Sequence, residues 1–217
     1  MGHGHWHPSW SPDGRHIVFI AGRNFESKDV FIMDADGRNV RAVRPHVAHE
    51  GHPAWSPDGS RIAFVSNRTG SLDIFTTDIR GKKLRNLTQD VGQNHYPAWS
   101  PDGDSIVFSS RRGDGQLHLY AMASDGSDVR LLFDRARYQS SPVWSPDGRH
   151  IAFVHVPPPT GDLYILDTHT GEATQVTDHP RIDSNPDWFD PRYARVVSPA
   201  RKWSVTWAWL KGGFTAP

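Results

Sequence analysis

Three residues ahead of a recurring tryptophan stand His7, His52, Tyr96, Ser141 and Asn185, each followed directly by proline. Just upstream of these lie His5 and Trp6, Glu50, Asn94 and His95, Gln139, and Asp183. If the segments are related by rotation about one axis, these side chains ring a single opening. His7, His52 and His95, with His5 and Glu50 near, then offer two to four ligands to a divalent ion. Zinc takes three or four such ligands, and imidazole suits zinc, nickel or manganese. The expected ligand-binding set is His7, Glu50, His52, His95, Tyr96 and Asn185, and the expected metal set is His5, His7, His52 and His95. An anionic ligand would suit the same ring. So would the plainer reading, in which these are polar side chains on a wet rim with a structural part in the turn.

A second ring is formed by Arg23, Arg68, Arg112 and Arg201, each 13 residues past the tryptophan, with Pro157 in the remaining copy. Guanidinium groups so placed can hold a carboxylate or phosphate in bidentate fashion. The alternative, and the stronger one, is that a recurrent arginine bonds a neighbouring blade. Trp6, Phe25, Tyr96 and Tyr138 are aromatics for the same rim, able to stack on sugars, anchor a peptide or simply pack. Asp34-Ala35-Asp36-Gly37 resembles the start of a calcium loop but lacks the later ligands and terminal Glu, so it reads as a turn. The Asn67-Arg68-Thr69 and Asn86-Leu87-Thr88 sequons matter only in a glycosylating compartment. No Gly-x-Ser-x-Gly elbow, Gly-rich phosphate loop or His-Glu-x-x-His pair is present.

The elements that must position these residues follow from an internal repeat. Trp10-Ser11-Pro12-Asp13-Gly14 returns at 55–59, 99–103 and 144–148, with a degraded copy at Trp188-Phe189-Asp190-Pro191. The tryptophan spacings are 45, 44, 45 and 44 residues. Within each period the pattern is strands only. A short strand ends in the tryptophan, and Ser-Pro-Asp-Gly then sets a tight turn: proline fixes φ, aspartate bonds its own backbone and glycine takes positive φ. The second strand (17–20, 62–65, 106–109, 151–154) is apolar at every position or nearly so, as expected where both faces are buried. A third strand, a turn at Gly37, Gly81, Gly126 or Gly171, and a fourth strand (40–43, 84–87, 129–132, 173–176) complete the unit. Four antiparallel strands at a period near 44 predict an all-β, five-bladed β-propeller with an incomplete fifth blade. The blades are expected at 7–50, 51–94, 95–139, 140–183 and 184–217 of one domain.

The repeating unit resembles the TolB-like WD-type propeller repeats over residues 7 to about 183, and loosely beyond. The resemblance implies fold more than function, because the family includes protein-docking modules, propeller domains of prolyl-oligopeptidase-like proteases and oligogalacturonate lyase-like enzymes. It implies a periplasmic or extracellular setting ahead of a cytoplasmic one.

Composition narrows the partners. Twenty-four basic and 24 acidic side chains give a formal charge of zero, which argues against a nucleic-acid binder. Absence of cysteine removes thiol nucleophiles and thiolate metal sites. No apolar run reaches the ~18 residues of a membrane helix, and the first seven residues have no apolar signal core. The expectation is an interaction or ligand-binding module without catalysis, using the loops that vary between repeats to hold a protein, peptide or glycan. A small metal-dependent polysaccharide lyase is the alternative. Ring closure is expected through the tail, where Trp203, Trp207 and Trp209 share one side of a strand, giving a monomer; pairing of two chains there is the other option.

Overall fold

The computed structural model describes residues 5–24, 27–89, 91–134, 138–156, 161–178 and 183–188. Four antiparallel four-stranded sheets follow one another along the chain, each in simple sequential order. Blade one is β1 (His5–Trp10), β2 (His16–Asn24), β3 (Ser27–Asp34) and β4 (Arg41–Ala42). Blade two is β5 (Glu50–Trp55), β6 (Arg61–Ser66), β7 (Asp73–Asp78) and β8 (Arg85–Asn86). Blade three is β9 (Gln93–Trp99), β10 (Ser105–Arg112), β11 (Gln116–Ala123) and β12 (Arg130–Phe133). Blade four is β13 (Gln139–Trp144), β14 (His150–His155), β15 (Asp162–Asp167) and β16 (Ala173–Gln175). The first strands β1, β5, β9 and β13 neighbour one another, which makes them the inner wall of the ring.

Each Ser-Pro-Asp-Gly turn closes on itself. In blade two the Ser56 hydroxyl donates to Asp58 Oδ1 at 2.5 Å, the Gly59 N–H donates to Ser56 O at 2.9 Å, and the Ser60 N–H donates to Asp58 at 3.0 Å. Those donors hold the Asp58 carboxyl down to about 2, through Ser56 first and then Ser60. The turn is hydrogen-bonded within itself.

The core lies between blades. Period two sends Ile62 and Phe64 of β6 toward Val18, Ile20 and Ile32 of blade one. Ala63, between them, faces Ile106 and Phe108 of blade three. Ile62, Phe64, Ile106, Phe108, Ile151 and Phe153 are all buried, each contributing about 1.5–3 kcal/mol. Trp55 packs on blade one, its indole N–H donating to Ser9 O at 3.2 Å. At Gly81 (φ +72) an added Cβ would sit 2.0 Å from Val43 O of the preceding blade, so only glycine allows that approach.

The outer strands β4 and β8 have two residues each, shorter than the four expected, as suits an exposed edge that must not recruit further strands. Four blades are described, where the sequence predicts five. Most of the fifth, with Trp203, Trp207, Trp209 and the closing segment, lies outside the described residues. Within residues 183–188 no strand is formed, but the Trp188 indole N–H donates to Val143 O at 3.2 Å, as that of Trp55 does to Ser9 O.

Candidate functional site

Every inner strand described carries an irregularity just before its proline. Pairing of β1 with β2 breaks between Trp6 and Ser9, of β5 with β6 between Gly51 and Ala54, and of β13 with β14 between Ser140 and Val143. The bulged residue adopts positive φ, His7 54°, His52 49°, Tyr96 54° and Ser141 52°, as does the equivalent Asn185 at 52°. Such a conformation costs a non-glycine residue about 1–2 kcal/mol, and a bulge re-aims the side chain it displaces. Residues expected at the mouth are brought together by this device. His7, His52, Tyr96, Ser141 and Asn185 all line one axial cavity of about 590 Å³, with Trp55, Trp99 and Trp144 farther along its wall.

The imidazoles of blades one to three form a cluster. Ring centroids lie 4.4 Å apart for His7 and His52, 4.1 Å for His52 and Tyr96, and 6.4 Å for His52 and His95. Burial, with His7 and His95 adding to it, pulls His52 down to about 3. His7 is lowered by burial and by Lys28, and His95 by burial and by Arg111. His52 is therefore neutral at physiological pH, and its Nδ1 is buried without a hydrogen-bond partner. The expected metal set is not supported by this geometry. The rings pack on one another tilted or edge-on, and among the described residues no three His, Asp or Glu side chains are placed to hold a metal ion. The His5 side chain lies outside the described residues.

Glu50 is corrected more sharply. It is 4% exposed, and both of its carboxylate oxygens are engaged. Its Oε2 accepts the Val30 N–H of blade one at 2.8 Å and its Oε1 pairs with Arg68. Desolvation nevertheless raises it to about 7, opposed by those two partners. The residue is a clamp between blades. Gln139 plays the same part in blade four, where its Oε1 accepts the Leu119 N–H of blade three at 2.9 Å. In blade three Asn94 donates to Leu72 O of blade two at 3.1 Å. A readable signal existed: the position five before the tryptophan holds Glu50, Asn94, Gln139 and Asp183, all with an sp² oxygen.

The arginine ring resolves the same way. Arg68 lies over the Phe64 and Phe75 rings at 5.6 and 5.0 Å, and Arg112 over Phe108 and Tyr120 at 5.6 and 4.4 Å. Arg112 Nε also donates to Ser110 Oγ at 2.8 Å, and Ser110 in turn to Asn94. Both cations thus brace their own blades, not a neighbouring one as expected. The side chain of Arg23, and Phe25, Pro157 and Arg201, lie outside the described residues, as does the Trp6 side chain. Tyr138 is exposed beside Arg111, 5.9 Å from its guanidinium.

A second cavity of about 310 Å³ opens between blades one and two, lined by His7, Lys28, His49, Glu50, His52 and His95 together with Ile20, Val65 and Leu72. Lys28 and His49 were not among the expected site residues. They are joined by an isolated parallel bridge between β3 and the chain entering β5, a contact that no repeat position announces.

The family model of the TolB beta propeller domain matches residues 5–160. The chain belongs to that family. Among solved structures it is similar to TolB from Acinetobacter baumannii (TM-score 0.73, 24% identity), covering 81% of this chain and 44% of that one. It is also similar to a putative TolB from Agrobacterium tumefaciens (TM-score 0.70, 26% identity), covering 77% of this chain and 63% of that one. The chain thus spans less than two thirds of either TolB structure. An oligogalacturonate lyase in complex with manganese shares the fold at 14% identity (TM-score 0.61), with 81% of this chain and 54% of that chain covered. No curated protein matches the sequence.

Proposed function

We propose that this TolB-family propeller is a ligand-binding interaction module that works through the mouth of its channel and the surrounding variable loops, without catalysis. The observation that carries the reading is the run of five residues held at positive φ around one cavity, from His7 to Asn185. Backbone strain kept in every copy, with side chains that differ from copy to copy, is the pattern of a rigid scaffold presenting a variable surface. A peptide, protein or glycan partner fits a mouth lined by imidazoles, a tyrosine and small polar groups. The same family reading favours a periplasmic or extracellular setting. It also favours five blades, as do the positive φ of Asn185, shared with four equivalent residues, and the Trp188 indole bond to blade four.

The test is a screen of the protein against peptide and glycan arrays, alongside a variant carrying His7→Asn, His52→Asn and Tyr96→Asn. Asparagine already holds this positive φ at Asn185, so the backbone conformation is retained. The expected result is at least one ligand bound by the parent and lost by the variant. Ligands retained equally by both proteins, or none at all, contradict the proposal.

A further inference from the structure

We infer that the axial cavity is a site for an uncharged saccharide, with a sugar ring against the arc of His7, His52 and Tyr96 and its hydroxyls toward Ser141 and Asn185. The inference rests on the channel-mouth reading and names its ligand class.

Three observations converge. First, the wall carries no charge. Among the described residues lining this cavity there is no Asp, Glu, Lys or Arg. His52 and His7, both lowered chiefly by burial, are held toward the neutral form. Lys28 and Glu50 line the lateral cavity instead. Second, the rim is uneven. Ring contacts of 4.4 and 4.1 Å join His7, His52 and Tyr96 into one aromatic arc over blades one to three. The small polar side chains of Ser141 and Asn185 hold the equivalent positions on the rest of the rim. Hydrogen bonds among the described residues use none of these five side chains. Third, each of the five is followed by a proline that also lines the cavity, from Pro8 to Pro186. Proline has no N–H, so at this level the wall offers side-chain donors in place of main-chain ones.

The ligand class follows from the chemistry of the lining. A charged ligand would give up its water here without meeting a counter-charge. An extended peptide draws much of its affinity from main-chain hydrogen bonds, and the prolines remove those donors. A sugar needs neither. Its C–H face packs on aromatic rings, and its hydroxyls donate and accept as phenol, hydroxyl, carboxamide and neutral imidazole do. The cavity volume of about 590 Å³ falls within the ~300–1,000 Å³ of small-ligand sites.

The experiment is a titration followed by calorimetry and by tryptophan fluorescence, since Trp55, Trp99 and Trp144 line the same wall. The neutral probes are cellobiose, maltose and N,N′-diacetylchitobiose, and their hexamers tell a glycan chain from a free sugar as the source. Digalacturonate, cationic chitobiose and the blocked peptide N-acetyl-Ala-Pro-Ala amide are the comparisons. Saturable binding of at least one neutral saccharide is expected, with a Kd of about 1 mM or tighter. Its affinity should not change between low salt and about 0.5 M salt, because neither partner is charged. Tyr96→Asn, which breaks the arc, should weaken it about tenfold. Ser141→His, which fills the open part of the rim with a residue that already holds this φ at His7 and His52, should weaken it as much and serves alone if Tyr96→Asn does not give a folded spectrum. No saturation by any neutral saccharide, tighter binding of a charged sugar or of the peptide, affinity that falls with salt, or unchanged affinity in folded variants would each overturn the assignment. If that happens while the arrays return a ligand lost on the rim substitutions, only the saccharide assignment falls. If the arrays are also empty, the channel-mouth reading falls with it.

Discussion

The two faces of the ring treat their polar groups in opposite ways. On the Ser-Pro-Asp-Gly face, Ser11, Ser56, Ser100 and Ser145 each donate to the aspartate two residues on, at 2.5–2.6 Å. The same aspartates accept backbone N–H groups, and positive φ falls on glycine in every copy. On the channel-mouth face, positive φ falls on His, Tyr, Ser and Asn, and His52 holds a buried ring nitrogen without a partner. Polar residues that satisfy one another need no external ligand. His52 is not satisfied in this way, and that contrast is what the proposal of binding at the mouth builds on.

The largest effect that sharpens this contrast belongs to neither face but to the inner strands joining them. Trp55→Ala and Trp99→Ala should each lose about 3–5 kcal/mol, because both indoles are buried between blades. Asp58→Ala should lose about 1 kcal/mol, the worth of local hydrogen bonds in an exposed turn. Chemical denaturation of the three variants distinguishes the cases, and equal losses would break the separation of architecture from turn chemistry.

Next in size is the clamp behind the mouth. Glu50 is raised to about 7 from an ordinary value near 4.5, so the folded state binds its proton more tightly than the unfolded chain does. Stability from this group is present below the ordinary value and is lost as pH rises through about 7. The loss is on the order of 1–3 kcal/mol. Glu50→Gln keeps an acceptor for the Val30 N–H, as Gln139 does for Leu119 in blade four. Melting curves between pH 5 and pH 8 should therefore flatten in the variant. A parent protein whose stability rises over that range would contradict the assigned direction.

Much of this organisation is legible in the residues. The tryptophan spacing and the strand alternation give the blade, and Ile62-Ala63-Phe64-Val65 announces burial on both faces because no polar residue interrupts it. The convergence of His7, His52 and Tyr96 follows from the repeat, since equivalent positions must meet at the axis. Glu50 and Arg68 were read as rim groups because periodicity places a residue along a strand but not in depth. Whether a side chain reaches the channel or turns back to the neighbouring blade depends on one bulge, and the bulge is not encoded by residue type alone. Lys28 and His49 were missed for a related reason: β3 of one blade meets the chain entering the next through a single bridge.

The central claim is that the mouth binds and the turn face does not. It is tested most directly by titrating the strongest array ligand against two triple variants side by side. One carries His7→Asn, His52→Asn and Tyr96→Asn at the mouth. The other carries Asp13→Asn, Asp58→Asn and Asp102→Asn in the turns. The account predicts that affinity falls at least about tenfold in the mouth variant, ~1.4 kcal/mol, and stays within about twofold of the parent in the turn variant. The reverse ranking, or equal losses in two variants that remain folded, would contradict it.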